Sequence, residues 1–110
     1  MVERSNAGPS IPVGEVPIEN SDKAHRFEAR FQEGVAVLTY HYDVTGGLVL
    51  EHTEVPPLLR HHGIATRLAA AALEFARNHQ LKVVPVCPFV VAYLGQHPEF
   101  SALVRRDRAT

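Results

Sequence analysis

A chain of 110 residues, 45% hydrophobic and 21% charged, has room for one domain and enough apolar side chains for one core. Its formal charge is −1, and its basic run is the short Val104-Arg105-Arg106-Asp107-Arg108, most simply a solvated end. No basic field is present to draw nucleic acid or anionic lipid, so both partner classes are excluded as expectations. The longest apolar stretches fall far short of the roughly 20 residues a membrane helix needs, and Met1 to Ser10 is too polar for a signal peptide. Cys87 is the single cysteine. It has no internal partner, and a reducing cytoplasm is the expected compartment.

Residues 1–22 read as a flexible tail, because Gly, Pro, Ser and Asn interrupt any period and no aromatic is present. Val13, Val16 and Ile18 have the spacing of a short edge strand, which is the alternative for that segment. The domain proper is expected over 23–110. His25 to Phe31 alternates, with Phe27, Ala29 and Phe31 on one face. Glu33-Gly34 turns the chain into Val35 to Tyr42, and Asp43 to Gly47 turns it into Leu48 to Val55. Tight turns between consecutive strands predict an antiparallel meander. Pro56-Pro57 ends the third strand, since proline cannot donate to a ladder. From Ile64 to His79 the apolar residues recur every three and four positions, the spacing of a helix about 24 Å long. Leu81 to Val86 is a short apolar run, as expected of a strand covered on both faces. Phe89 to Gly95 reads as a second helix with Pro88 near its first turn. His97-Pro98-Glu99-Phe100 ends it, and Ser101 to Val104 forms a short terminal piece. The fold class is therefore α/β: a small mixed sheet, an antiparallel meander plus a parallel strand–helix–strand unit, with one long helix and a short C-terminal one.

The most informative stretch joins the third strand to the long helix: Arg60-His61-His62-Gly63-Ile64-Ala65-Thr66. A helix N-terminus carries unpaired N–H groups and the positive end of the dipole. Together these make an anion site, most often for a phosphate or pyrophosphate. Gly63 puts no Cβ between backbone and ligand, and Arg60 and the histidines are further donors. The plain alternative is a loop whose glycine eases entry into the helix.

This hexamer, Arg-x-x-Gly-x-Ala, resembles the acyl-CoA-binding motif of the GNAT N-acetyltransferase superfamily, Gln/Arg-x-x-Gly-x-Gly/Ala. Glu51-His52-Thr53-Glu54-Val55-Pro56, then Val84-Pro85-Val86-Cys87-Pro88-Phe89-Val90, Tyr93 and His97-Pro98-Glu99-Phe100 look like its compact, single-domain branch. The similarity covers roughly Phe27 to Val104. It implies a minimal GNAT-like sheet whose strands Leu48–Val55 and Leu81–Val86 run parallel and splay apart. Acetyl-CoA is then the acyl donor and an amine the acceptor. By motif position the resemblance assigns Arg60, His62, Gly63, Ile64 and Ala65 to the pyrophosphate. Thr53 and Val55 would offer backbone partners to the pantetheine arm, and His61 would point outward. His62 is bulkier than the small or basic residue often found at its position. Helices that commonly cover the acceptor are missing between Phe31 and Val35, which implies an open groove suited to an exposed amine on a protein or to a polyamine.

Acetyl transfer to an amine needs a base or a water relay, because an amine is mostly protonated at neutral pH. His52 and Cys87 are the candidates, joined by Tyr93, which matches a position where many members of the superfamily place a proton donor to the leaving thiolate. Strand parity puts Leu50, His52 and Glu54 on one face and Val49, Thr53 and Val55 on the other. His52 and Cys87 would then lie together near the splay, able to form an activated thiolate pair. Direct attack by the amine competes with transfer through Cys87, and the superfamily mostly uses direct attack. Each candidate also has a bland reading: Cys87 as core packing, His52 as a hydrogen-bonded strand residue, Tyr93 as core, and Glu51 and Glu54 as solvated carboxylates or attractants for a cationic substrate. A coenzyme A-binding module without turnover is the second function. No metal site is expected, since His61-His62 is adjacent and no Cys-x-x-Cys or His-x-x-x-His pattern occurs. No Gly-x-Ser-x-Gly elbow is present for a serine hydrolase. Oligomeric state is not readable from the sequence.

Overall fold

The computed structural model describes residues 13–105. Five strands form one mixed sheet in sequence order: β1 (Glu19–Ser21), β2 (Arg26–Phe31), β3 (Gly34–Tyr42), β4 (Leu48–Glu54) and β5 (Val83–Pro85). The first four pair antiparallel, and β5 runs parallel to β4. Helix α1 (Ile64–Asn78) makes the crossover between β4 and β5, and α2 (Pro88–Gln96) follows β5. The α/β expectation holds, with the meander, the parallel unit, the long helix and the short one all in place. No helix among the described residues is long and apolar enough to cross a membrane.

One face of the sheet carries the core. Phe27 and Ala29 of β2, Ala36, Leu38 and Tyr40 of β3, and Leu48 and Leu50 of β4 are buried there against Leu68, Ala69, Ala72 and Ala76 of α1. The alanines on α1 let the helix axis lie close to the sheet. Cys87, Val90 and Phe100 extend the same cluster.

Within the segment read as a tail, the structure has a short edge strand, β1. Glu19 to Ser21 pairs with Arg26 to Glu28, and Asn20 Oδ1 accepts a 2.6 Å bond from the buried Tyr40 hydroxyl. The strand falls one residue beyond Ile18, because the apolar side chains just before it serve as anchors instead. Val16 is buried in the core, Ile18 packs against it, and Arg67 of α1 donates to the Val16 carbonyl at 2.7 Å. Positions 1–12 of the expected tail, and 106–110 of the basic end, lie outside the described residues.

The turn between β3 and β4 is held by one carboxylate. Asp43 accepts from the Thr45 N–H, the Thr45 hydroxyl and the Gly47 N–H at 2.8–3.0 Å, and meets the Arg105 guanidinium at 2.6 Å. The Arg105 contact first, then the turn donors, hold its carboxyl well below the usual carboxylate range. A depressed folded-state value stabilises the fold at pH above about 4, and the contribution is lost as acid protonates the group. Asp43→Asn is therefore expected to lower the unfolding temperature at pH 7 and to flatten its fall between pH 5 and 3. Equal acid slopes in the two proteins would remove Asp43 from that role.

Candidate active site

The site begins where two strands stop pairing. The parallel ladder ends at Leu50 and Pro85. Beyond it, the Leu50 carbonyl accepts both the Val86 N–H, at 3.0 Å, and the Cys87 N–H, at 2.9 Å. Pro85 and Pro88 have no N–H with which to continue a ladder, and the chain turns into α2 while β4 runs on to Glu54. A split opens between β4 and the start of α2.

A β-bulge in β4 decides which side chains face this split. Tyr40 of β3 sits opposite Leu50 and Thr39 opposite His52, which leaves Glu51 as the extra residue. Residues directly opposite each other share a face. Thr53 lies opposite the buried Leu38, so it stands on the core face with Leu50, while His52 lies opposite Thr39 on the other face. The expected parity is thus inverted past the bulge. Thr53, not His52, reaches the cysteine: its hydroxyl is 3.3 Å from Cys87 Sγ. Cys87 is buried, 3% exposed, and the expected cysteine–histidine pair does not form. His52 is exposed on the far face, beside Glu51, whose carboxylate contacts the His41 ring. The same alternation turns the backbone of Thr53 and Val55 toward the split, although Arg60 Nε already donates to the Val55 carbonyl at 3.0 Å.

Above the split lies the phosphate-type cradle. Pro57–Leu59 makes a single 3-10 turn that buries Leu59, and Arg60 leaves it in extended backbone. His61 and Gly63 are both left-handed, with φ of 69° and 77°. Gly63 caps α1 without a side-chain bond. The first intrahelical bond is from the Arg67 N–H to the Gly63 carbonyl, at 3.1 Å. The N–H groups of Gly63, Ile64, Ala65 and Thr66 precede it and have no partner within the helix. They border a cavity of about 330 Å³ that is lined by Val55, Leu59, Arg60, His61, Phe89 and the Gly63–Thr66 turn. Its charged or titratable lining side chains are Arg60 and His61; no carboxylate among the described residues lines it.

Arg60, Gly63, Ile64, Ala65 and Val55 line one cavity, with Thr53 two residues back along the chain from Val55. His62 is exposed and is absent from the cavity wall, whereas His61, expected to point outward, lines it. Phe89 was not singled out from the sequence; it stands one residue after Pro88, on the first turn of α2, and lines the same cavity as Val55. Tyr93 lies elsewhere. It stacks on His97 with ring centroids 3.9 Å apart, and burial first, then Glu99 and Glu74, raise its proton affinity. No group of three or more metal-ligating side chains occurs among the described residues.

This arrangement has relatives. A family model described as GCN5-related N-acetyl-transferase matches residues 26–103. Protein NATD1 of Xenopus tropicalis is 34% identical over 89 residues, covering 79% of this chain and 82% of the relative. The human Protein NATD1 is 30% identical over 102 residues, covering 86% of this chain and 90% of its own length. In structure, the chain superposes with a TM-score of 0.65 on the solution structure of a GCN5-like protein from Staphylococcus aureus, 22% identical, over 84% of this chain and 91% of that one. The model match extends from β2 through the residues after α2, and so contains the split, the cradle and the long helix: the chain belongs to the GCN5-related N-acetyltransferase family.

Proposed function

We propose that this chain is an acetyl-CoA-dependent N-acetyltransferase acting on an exposed amine, by direct attack of the amine on the thioester. One observation carries the reading. The N–H groups of Gly63 to Thr66, which have no partner within the helix, border a largely apolar cavity whose charged or titratable side chains among the described residues are Arg60 and His61, with no carboxylate. That chemistry fits a diphosphate, with Arg60 adding the rest of its guanidinium. Thr53 and Val55 offer backbone groups to the stem of the donor. Acetyl-CoA supplies an acyl carbon already activated as a thioester.

The remaining roles fall to this chain's side chains. His52, exposed on the far face, takes the amine proton, directly or through water, from an acceptor approaching that side of the sheet. The new N–C bond replaces the C–S bond, and the departing sulfur needs a proton. Tyr93 holds its proton to a higher pH than an ordinary tyrosine and is the candidate donor, although its ring is tied to His97. The separation of His52 from Cys87 and the burial of the thiol support direct attack over a cysteine-borne acetyl group.

A second reading, a coenzyme A-binding module without turnover, draws support from the cavity wall itself: His52, Cys87 and Tyr93 are all absent from it. Calorimetric titration with coenzyme A and acetyl-CoA tests the shared part, and saturable binding is expected. Acetyl-CoA-dependent thiol release with a polyamine or a lysine peptide then separates the two readings. No binding would end both.

A further inference from the structure

We infer that His61 is a ligand for the donor's diphosphate and makes coenzyme binding depend on pH, whereas its neighbour His62 takes no part. The inference rests on the proposed donor site and adds a side chain to it.

Three observations support the assignment. His61 lines the cavity and His62 does not. The His61 backbone is left-handed, φ 69°, a region that histidine, asparagine and aspartate enter more often than other residues with a Cβ; it belongs to the same loop whose Gly63 is also left-handed. The third is the inventory of charge around the ring. Arg60 is the neighbouring cation on the loop, its Nε already committed to the Val55 carbonyl. From α1 the first turn contributes N–H groups and the Thr66 hydroxyl, with Arg67 one residue further and bonded to the Val16 carbonyl. Just past β4 and from α2, among the described residues, the cavity receives Val55 and Phe89. No carboxylate among the described residues lines the wall, and a bound diphosphate brings negative charge beside the ring. An anion beside an imidazole raises its proton affinity, so binding draws a proton onto His61 and is tighter in acid.

Dephospho-coenzyme A is the right probe, because it keeps the diphosphate and lacks the terminal phosphomonoester that would itself titrate near neutrality. Calorimetry on the whole chain at pH 5.5–8.0, in two buffers of different ionisation enthalpy, reads both affinity and proton uptake. The unmodified protein is expected to bind about five- to tenfold more tightly at the acid end, with net proton uptake, one charge-assisted bond being at stake. His61→Asn keeps a residue that tolerates the left-handed backbone. It should lose both the pH slope and the uptake, while His62→Asn keeps both. A slope that survives in His61→Asn, or disappears in His62→Asn, overturns the inference while leaving the donor site standing. Absence of binding by the unmodified protein at every pH overturns the donor site and the inference together.

Discussion

Gly63→Val is expected to abolish measurable coenzyme A binding and to destabilise the domain. Two separate effects drive this. The first is in the backbone: Gly63 has φ of 77°, and the left-handed region costs a residue with a Cβ roughly 1–2 kcal/mol, more when the Cβ is branched. The second is in the cavity. A Cβ built at Gly63 meets no atom of the described residues beyond its chain neighbours within 4 Å, so a steric loss falls on what the cavity holds. Gly63→Ala isolates the backbone part: about 1–2 kcal/mol of stability by thermal unfolding, with binding weakened but measurable. If valine displaces the anion from two N–H groups, each worth about 1.5–3 kcal/mol to a charged acceptor, affinity falls by at least about a hundredfold. Wild-type affinity in a folded Gly63→Val protein would show that the turn above the split holds no phosphate.

The helix carrying that turn was legible in the sequence almost to the residue, and so were β2, β3 and β4. Their signals are local: alternation in Phe27, Ala29 and Phe31, apolar recurrence from Ile64, and the proline and glycine punctuation between them. Three features were hidden for identifiable reasons. β1 is Glu-Asn-Ser, a strand without strand-like residues, held by partners in β2 and by the Tyr40 hydroxyl. Propensity has nothing to register there. The bulge at Glu51 leaves no mark in composition, because an extra residue in β4 shows only against the register of β3. Its consequence was the largest error at the site: one uncounted residue exchanged Thr53 for His52 on the core face, and with it the partner of Cys87. The third is the choice between His61 and His62. Adjacent identical side chains are separated by backbone dihedrals alone, and a left-handed histidine carries no sequence signature.

That exchange also determines what the catalytic test should show. His52→Ala is expected to slow acetyl-CoA-dependent thiol release by about 10²-fold, the usual worth of a positioned base. The affinity for acetyl-CoA should be unchanged, since the ring lies on the face opposite the cradle. Cys87→Ala should behave in the reverse manner. Removing a buried sulfur that touches the Thr53 hydroxyl costs stability, about 1–2 kcal/mol by analogy with other small core truncations, but turnover should stay within a few-fold once the protein is folded. Mass spectrometry of the unmodified chain after incubation with acetyl-CoA, without acceptor, is expected to find Cys87 free. A thiol that carries the acetyl group needs a route to become thiolate and a path for the amine to reach it. Here its nearest polar neighbour is a neutral hydroxyl, and the histidine that would have activated it projects from the other side of the sheet. An acetyl adduct on Cys87, together with loss of turnover in Cys87→Ala, would mean that the bulge rearranges when the donor binds, and the covalent route would replace direct attack. Full turnover in both variants would leave the proton to water and assign His52 to the surface.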